Sequence, residues 1–163
     1  MAFLTPILEA MGTRDDLRCT LFFGKHLPSR LKSLPAIDNR EPLAWEQFKQ
    51  WSAQERYHIV LAPLPETPFN RGRSLTKLMD VASVGAAGLF SARRPFSQAL
   101  EHNRDGLLLA DDPVVWGTEI ERLLDNLQAT KILAQSAAIT AQRLGSRQDL
   151  RSFWLRCLQL KGE

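Results

Sequence analysis

Three basic residues crowd the predicted start of one helix. They are Arg71, Arg73 and Lys77, and Ser74 stands among them where a helix N-cap is expected. A helix start already carries about half a positive charge, so each cation placed there costs about 0.3–1 kcal/mol. Its free N–H groups also need an acceptor, and a bound phosphate supplies both the negative charge and the acceptor. The pattern therefore predicts an anion site, against the alternative that three long side chains are simply solvated.

The elements around this cluster follow a strand–loop–helix order. Residues 58–63 form an apolar run typical of a buried strand. After the loop, apolar residues recur at helical spacing from Leu75 to Ala82, and Gly85 ends the pattern. Ligands of open α/β sheets bind at the carboxyl ends of strands. This placement favours a binding site over solvated side chains.

Similar patterns along the rest of the chain predict five strands alternating with helices. The predicted strands cover residues 18–23, 36–37, 58–63, 86–91 and 107–110. The predicted helices cover residues 3–11, 27–34, 46–53, 74–84, 97–101, 114–124, 128–143 and 147–160. This alternation predicts an α/β fold of the Rossmann-like, three-layer kind, with helices on both faces of a five-stranded parallel sheet.

The chain of 163 residues is predicted to be one domain, with a helical C-terminal extension over about residues 126–163. The doubly wound strand order 2-1-3-4-5 fits five strands best, and its crevice lies between strands 1 and 3. We therefore expect Gly24 and Lys25, which follow strand 1, to lie beside the loop after strand 3. Arg93 and Arg94, which follow strand 4, are expected next along the same edge.

Composition excludes several classes of function. The net charge is only +3, and no basic tract is interleaved with aromatic residues, so nucleic acid is not an expected partner. No apolar run approaches the ~18–20 residues that a membrane span requires. The two cysteines, Cys19 and Cys157, lack a metal-binding spacing and are predicted to be buried thiols in a reducing cytosol. The sequence therefore predicts a cytoplasmic protein without a bound metal.

No residue stands out as a catalytic group. The remaining titratable or nucleophilic candidates are scattered along the chain: His26, His58, His102, Glu101, Ser91 and Ser97. Neither serine has a visible partner base, and a structural role is expected for His102. The catalytic residues therefore stay unassigned.

Four segments between residues 57 and 133 share their pattern with one enzyme family. The first contains a Ser-x-x-Lys-x-x-acid motif in a strand-loop-helix unit, and the third pairs a Gly-Leu-Leu strand with Asp-Pro-x-x-Trp. The segments are residues 61–85, 86–92 (AAGLFSA), 101–116 (EHNRDGLLLADDPVVW) and 119–125 (EIERLLD). Together they resemble the C-terminal, nucleotide-sugar-binding domain of GT-B glycosyltransferases of the group 1 kind.

The resemblance implies a nucleotide-diphosphate sugar, such as a UDP- or GDP-sugar, as donor, and no metal cofactor. It implies that Ser74 and the helix-start N–H groups hold the diphosphate, with Lys77 as counter-charge and Asp80 on the ribose hydroxyls. The spacing agrees, because Asp80 lies about 9 Å along the helix axis from Ser74. The alternative is that Asp80 is a solvated residue paired with Lys77.

The chain also departs from the family, since Gly72 replaces a glutamate and neither the acceptor-binding N-terminal domain nor the first strand is visible. We therefore expect a glycosyltransferase, or the donor-binding part of one, as in polysaccharide biosynthesis, that acts with an acceptor-domain partner or as a homo-oligomer. The alternatives are a non-catalytic nucleotide- or phosphate-binding remnant, or an interaction module whose apolar helix over residues 153–160 docks on a partner. The expected binding residues are Arg71, Arg73, Ser74, Lys77, Asp80, Gly24, Lys25 and Arg93.

Overall fold

The computed structural model describes residues 3–146 and Arg151, and the predicted helix over residues 147–160 lies outside the described residues except for Arg151. The strands are β1 (Cys19–Leu21), β2 (Ile37–Asn39), β3 (Ile59–Ala62), β4 (Ala87–Ser91) and β5 (Leu107–Leu109). The helices are α1 (Leu4–Gly12), α2 (Ser29–Lys32), α3 (Trp45–Gln54), α4 (Pro68–Arg71), α5 (Thr76–Ser83), α6 (Phe96–Ala99), α7 (Pro113–Asp125) and α8 (Leu127–Leu144). The predicted α/β class is confirmed, and each of the five predicted strands is found near its predicted position in the sequence.

The strands form two parallel sheets rather than one. β1 pairs with β2, with Cys19 opposite Ile37, and β3, β4 and β5 pair in that order. The predicted single sheet in the order 2-1-3-4-5 is not seen, because among the described residues no backbone hydrogen bond joins β1 to β3. The neighbours within each sheet are those predicted, and the difference lies at the junction between strands 1 and 3.

Helices cover both faces of the three-stranded sheet, as predicted for three layers. On one face, α1 and α7 pack on β4 and β5 around the fully buried Trp116 and Leu107. On the other face, α5 and α6 pack on β4 through Leu78, Phe90 and Phe96. All five residues of β4 are buried, as expected for the central strand of a covered parallel sheet.

Two helix boundaries follow the local sequence signals closely. The Asp112 carboxylate accepts a hydrogen bond from the backbone N–H of Val114, and Pro113 takes the first helical position of α7. After α5, Gly85 adopts a φ of +68°, a left-handed conformation that glycine enters without steric cost. These two signals therefore set where α7 begins and where the chain turns after α5.

A buried carboxylate anchors the turn before β5. Asp105 is fully buried and accepts hydrogen bonds from the N–H of Glu101, from Arg104 and from the hydroxyl of Thr140 on α8. Burial opposes ionisation of Asp105, but the hydrogen bonds from Arg104, Glu101 and Thr140 hold its pKa below the ordinary value. His102 accepts a hydrogen bond at Nδ1 from the N–H of Leu108, which gives it the structural role predicted.

Candidate functional site

The loop after β3 is braced by its own polar side chains. Thr67 caps the short helix α4 by accepting a hydrogen bond from the N–H of Asn70 at 3.1 Å. Asn70 in turn donates from its amide to the carbonyl of Pro65 at 2.8 Å. At the loop's first turn, the N–H of Leu64 donates to the buried Ser91 hydroxyl at the end of β4. The loop is therefore held against the carboxyl end of the neighbouring strand.

A chain of alternating charges crosses this end of the sheet. Arg71 donates from Nε to Glu66 at 2.5 Å, and Nη1 of Arg93 lies 3.3 Å from the other oxygen of Glu66. Arg93 also donates to Asp111, which accepts a further hydrogen bond from Ser91 at 2.9 Å. The hydrogen bond from Arg71, together with the charge of Arg93, holds the pKa of Glu66 below its ordinary value. We call these residues, with Arg94, the rim cluster.

The guanidinium of Arg93 is the central group of the rim cluster and is incompletely satisfied. Its side chain is 22% exposed, and its Nε and Nη1 atoms are buried without a hydrogen-bond acceptor among the described residues. Glu66 lies close enough to Nη1 for charge attraction, but not in line for a hydrogen bond. Buried donors normally have acceptors, so Arg93 has capacity for an additional oxygen ligand.

A cavity of about 280 Å³, open to solvent, lies at the rim cluster, and Arg93 is joined to its lining through Glu66. Its lining includes Glu66, Arg71 and Arg94. The rim cluster contains three arginines and two carboxylates, Glu66 and Asp111, so its net charge is +1. Small-molecule sites usually measure about 300–1,000 Å³, so this cavity suits phosphate groups better than an entire nucleotide sugar.

The start of α5 differs from the prediction. The helix begins at Thr76, and Ser74 lies before it with its hydroxyl bonded to the Thr76 hydroxyl at 2.6 Å, so Ser74 is not the N-cap. Leu75 occupies the N-cap position and offers no side-chain acceptor. The reason is the additional short helix α4, which occupies part of the loop, so that α5 begins later in the sequence than predicted. Arg73 lies over the exposed ring of Phe69, 5.8 Å from its centroid.

Lys77 and Asp80 form a pair along α5. The ammonium of Lys77 donates to the Asp80 carboxylate at 3.0 Å, and the Asp80 side chain is only 18% exposed. This is the pairing that the sequence left open as the alternative to ribose binding. A phosphate at the helix start would compete with Asp80 for the Lys77 ammonium.

Gly24 and Lys25 are not bonded to the rim cluster among the described residues. Gly24 is the first residue of a short 3₁₀ turn and has a φ of +51°. Its N–H donates a hydrogen bond to the carbonyl of Arg40, and its carbonyl accepts one from the side-chain amide of Asn39. A Cβ at Gly24 would lie 2.2 Å from the carboxylate of Glu41. Within residues 3–146, no hydrogen bond, ion pair or ring contact joins Gly24 or Lys25 to the loop after β3. The expected pairing of strands 1 and 3, which would bring the two loops side by side, is not seen.

Three residues of the rim cluster were missed by sequence analysis. Glu66, Ser91 and Asp111 all follow or end a strand, at the same edge where ligands were expected. Asp111 was interpreted only as part of a helix start, and Ser91 only as a serine without partners. Their position after strands 3, 4 and 5 was the signal that could have found them.

Searches for other kinds of site complete the description. Within residues 3–146, no group of three or more histidine, cysteine, aspartate or glutamate side chains could hold a metal ion. No described helix is both long enough and apolar enough to cross a membrane. Comparison with protein-family models finds no family that matches the chain, and comparison with curated proteins finds no significant match.

Proposed function

We propose that this protein binds a nucleotide-diphosphate sugar at the rim cluster and serves as a glycosyltransferase, or as the donor-binding part of one. The observation that carries the proposal is the solvent-open cavity lined by Arg71 and Arg94, to which Arg93 is joined through the lining residue Glu66. A diphosphate offers several anionic oxygens, and bidentate contact with a guanidinium is the strongest form of such recognition.

The size of the cavity indicates that only part of the proposed ligand lies inside it. About 280 Å³ takes the diphosphate, while the base and the sugar extend over the neighbouring surface. Arg71 and Arg94 complete a cationic wall, and Lys77 moves from Asp80 to the phosphate when the donor binds. Asp80 is then free to accept hydrogen bonds from the ribose hydroxyls. An acceptor-binding partner domain, or a second copy of the chain, covers the exposed sugar.

The chemistry proposed for this rim is electrostatic. When a glycosyl group leaves its donor, negative charge develops on the diphosphate, and preorganised arginines stabilise that charge. Arg71 and Arg93 are already fixed by Glu66 and Asp111, so little reorganisation is needed. The proposed location is a reducing cytoplasm; among the described residues, which exclude Cys157, the half-buried Cys19 forms no disulfide, and burial raises the pKa of its thiol.

A non-catalytic phosphate-binding module is the second candidate. It is favoured by the carboxylates of the rim cluster, because Glu66 and Asp111 are both engaged with arginines. Neither is free to act as a general base towards an acceptor hydroxyl. This candidate predicts the same binding of nucleotides without any transfer or hydrolysis of the donor.

Calorimetric titration separates these possibilities. The ligands are UDP, GDP and ADP, their glucose conjugates, inorganic pyrophosphate and uridine. We expect the diphosphates and pyrophosphate to compete for one site, and uridine alone to bind at least tenfold more weakly. Absence of binding by every phosphate ligand would refute the proposal. Release of free sugar from a conjugate supports the enzyme, whereas binding without release supports the non-catalytic module.

A further inference from the structure

A second cavity, of about 400 Å³, lies at the edge of the sheet opposite the rim cluster, and we call it the amino-edge cavity. Its lining includes His58, the residue before β3, and Gly85, two residues before β4. The rim cluster lies at the carboxyl ends of the same strands, and β4 spans about 13 Å between the two edges. The volume is within the range of about 300–1,000 Å³ that is usual for sites that bind one small molecule.

Backbone hydrogen bonds hold the sheet side of the amino-edge cavity in place. The N–H of Tyr57 donates to the carbonyl of Val84 at 3.1 Å. The N–H of Ala87 donates to the carbonyl of His58 at 2.9 Å. The lining residues Tyr57, His58 and Gly85 therefore belong to two segments that are bonded side by side. This wall is fixed by the same pairing that builds the sheet.

The first turns of α8 form the opposite wall. Leu127, Lys131 and Ala134 line it, and their spacing of three or four residues places them on one face of the helix. Ala134 packs in the same apolar cluster as Ala87 at the start of β4, which anchors this part of α8 on the sheet. Leu127 is 49% exposed, so a ligand that covers it removes apolar surface from water.

Arg56 is held in position by the end of α3. Its Nη1 donates to the carbonyl of Ala53 at 3.1 Å and to that of Glu55 at 2.7 Å, where the end of a helix offers unpaired carbonyls. Its stem lies over Gly85, since a Cβ at Gly85 would be 3.4 Å from Cδ of Arg56. Its Nε and Nη2 form no hydrogen bond with a described residue. The guanidinium is therefore oriented and still has donors for an anion.

The positive charge of the amino-edge cavity is not balanced within the described part of the chain. Arg56 and Lys131 are its cationic lining residues, and none of the described residues that line it is acidic. The Lys131 ammonium forms no hydrogen bond or ion pair with a described residue. At the rim cluster, by contrast, Glu66 and Asp111 are paired with arginines. The cavity therefore lacks the internal neutralisation seen at the other edge.

We propose that the amino-edge cavity binds a small organic carboxylate, with Arg56 and Lys131 on the carboxylate and Leu127 on its apolar body. The two oxygens of a carboxylate accept hydrogen bonds from two cations at once. The apolar part of the lining accounts for the organic body, because a bare inorganic anion would leave Leu127 and Ala134 uncovered. The proposal does not depend on nucleotide binding, since the described lining shares no residue with the rim cluster.

NMR titration of the full chain tests the ligand class. The probes are indole-3-acetate, 4-phenylbutyrate and octanoate, each compared with its own primary amide, which has the same body without the charge. We expect at least one carboxylate to bind with a Kd below about 1 mM, and its amide to bind at least about tenfold more weakly. Weaker binding than this by all three carboxylates overturns the proposal, and so does an amide that binds within about tenfold of its acid.

Two variants test the assigned cations, and Lys49→Gln is their matched control. Lys49 pairs with Glu46 at 2.7 Å on α3 and is not among the lining residues. Lys131→Gln is expected to leave the unfolding curve unchanged, because Lys131 has no partner among the described residues. We expect Lys131→Gln and Arg56→Gln each to weaken carboxylate binding at least about fivefold more than the control does. A smaller loss in Lys131→Gln contradicts the assignment, whether or not Arg56→Gln folds.

The backbone amides that respond show which edge of the sheet is occupied. Gly85 and Gln128 report on the amino-edge cavity, and Ser91 reports on the rim cluster. We expect the bound carboxylate to shift the amides of Gly85 and Gln128 more than that of Ser91, and to do so equally in saturating pyrophosphate. Shifts that are larger at Ser91, or binding that pyrophosphate abolishes, place the carboxylate at the rim cluster and overturn the proposal.

Discussion

Replacing Arg93 with glutamine is the most direct test of the rim cluster. Arg93→Gln removes one positive charge from a group whose net charge is +1 and takes away the two buried nitrogen atoms, Nε and Nη1, that lack acceptors. The fold is expected to survive, because Asp111 keeps its hydrogen bond from Ser91 and Glu66 keeps Arg71. The variant should therefore report on ligand binding rather than on unfolding.

The expected loss follows from two terms. A hydrogen bond between charged groups contributes about 1.5–3 kcal/mol. A charge pair at about 5 Å gives about 3 kcal/mol at an effective dielectric constant of 20, before solvent screening reduces it. The two terms overlap, and the Arg93 side chain is 22% exposed, so we expect a total of about 2–3 kcal/mol. That corresponds to a Kd for UDP or pyrophosphate about 30–150-fold weaker.

Calorimetry with UDP and pyrophosphate measures this loss, and Arg122→Gln is the matched control. Arg122 pairs with Glu119 at 2.7 Å on the exposed side of α7, about 14 Å along the helix from its start at the rim. The control removes the same charge from the protein and should change Kd less than threefold. If Arg93→Gln also changes Kd less than threefold while its unfolding curve is unaltered, the rim cluster is not the phosphate site.

Three further predictions concern stability and are measured by urea unfolding. Asp105→Asn should lower the free energy of unfolding by about 2 kcal/mol at pH 7. Since the pKa of Asp105 is depressed in the folded protein, the difference in stability between wild type and variant should shrink as pH falls below about 4. A difference that does not change with pH would contradict this prediction. Gly106→Ala should cost about 2–4 kcal/mol, because φ is +145° and a Cβ would lie 2.8 Å from the carbonyl of Gly88; a neutral result would refute the close approach. Trp116→Ala should cost about 3–5 kcal/mol, because Trp116 is fully buried and bonds the carbonyl of Ala110.

The sequence predicted individual elements better than their assembly. Apolar runs and caps located each strand, and Asp112 with Pro113 marked the start of α7, because these signals act within a few residues. The pairing of β1 with β3 depends instead on backbone contacts between distant segments. The short β1 pattern around Cys19–Leu21 shows that a strand exists there but not which edge finds a partner. Local sequence patterns therefore predicted the α/β class correctly, but not the division of the strands into two sheets.

The candidate site shows the same division. Sequence spacing located the basic residues Arg71 and Arg93 at one edge of the sheet, because the carboxyl ends of neighbouring parallel strands lie together. It did not show that Glu66 and Asp111 would occupy those arginines, since ion pairing depends on rotamers and on the fold of the α4 loop. A charge pattern thus predicts where an anion could bind, while the degree of internal neutralisation needs the structure.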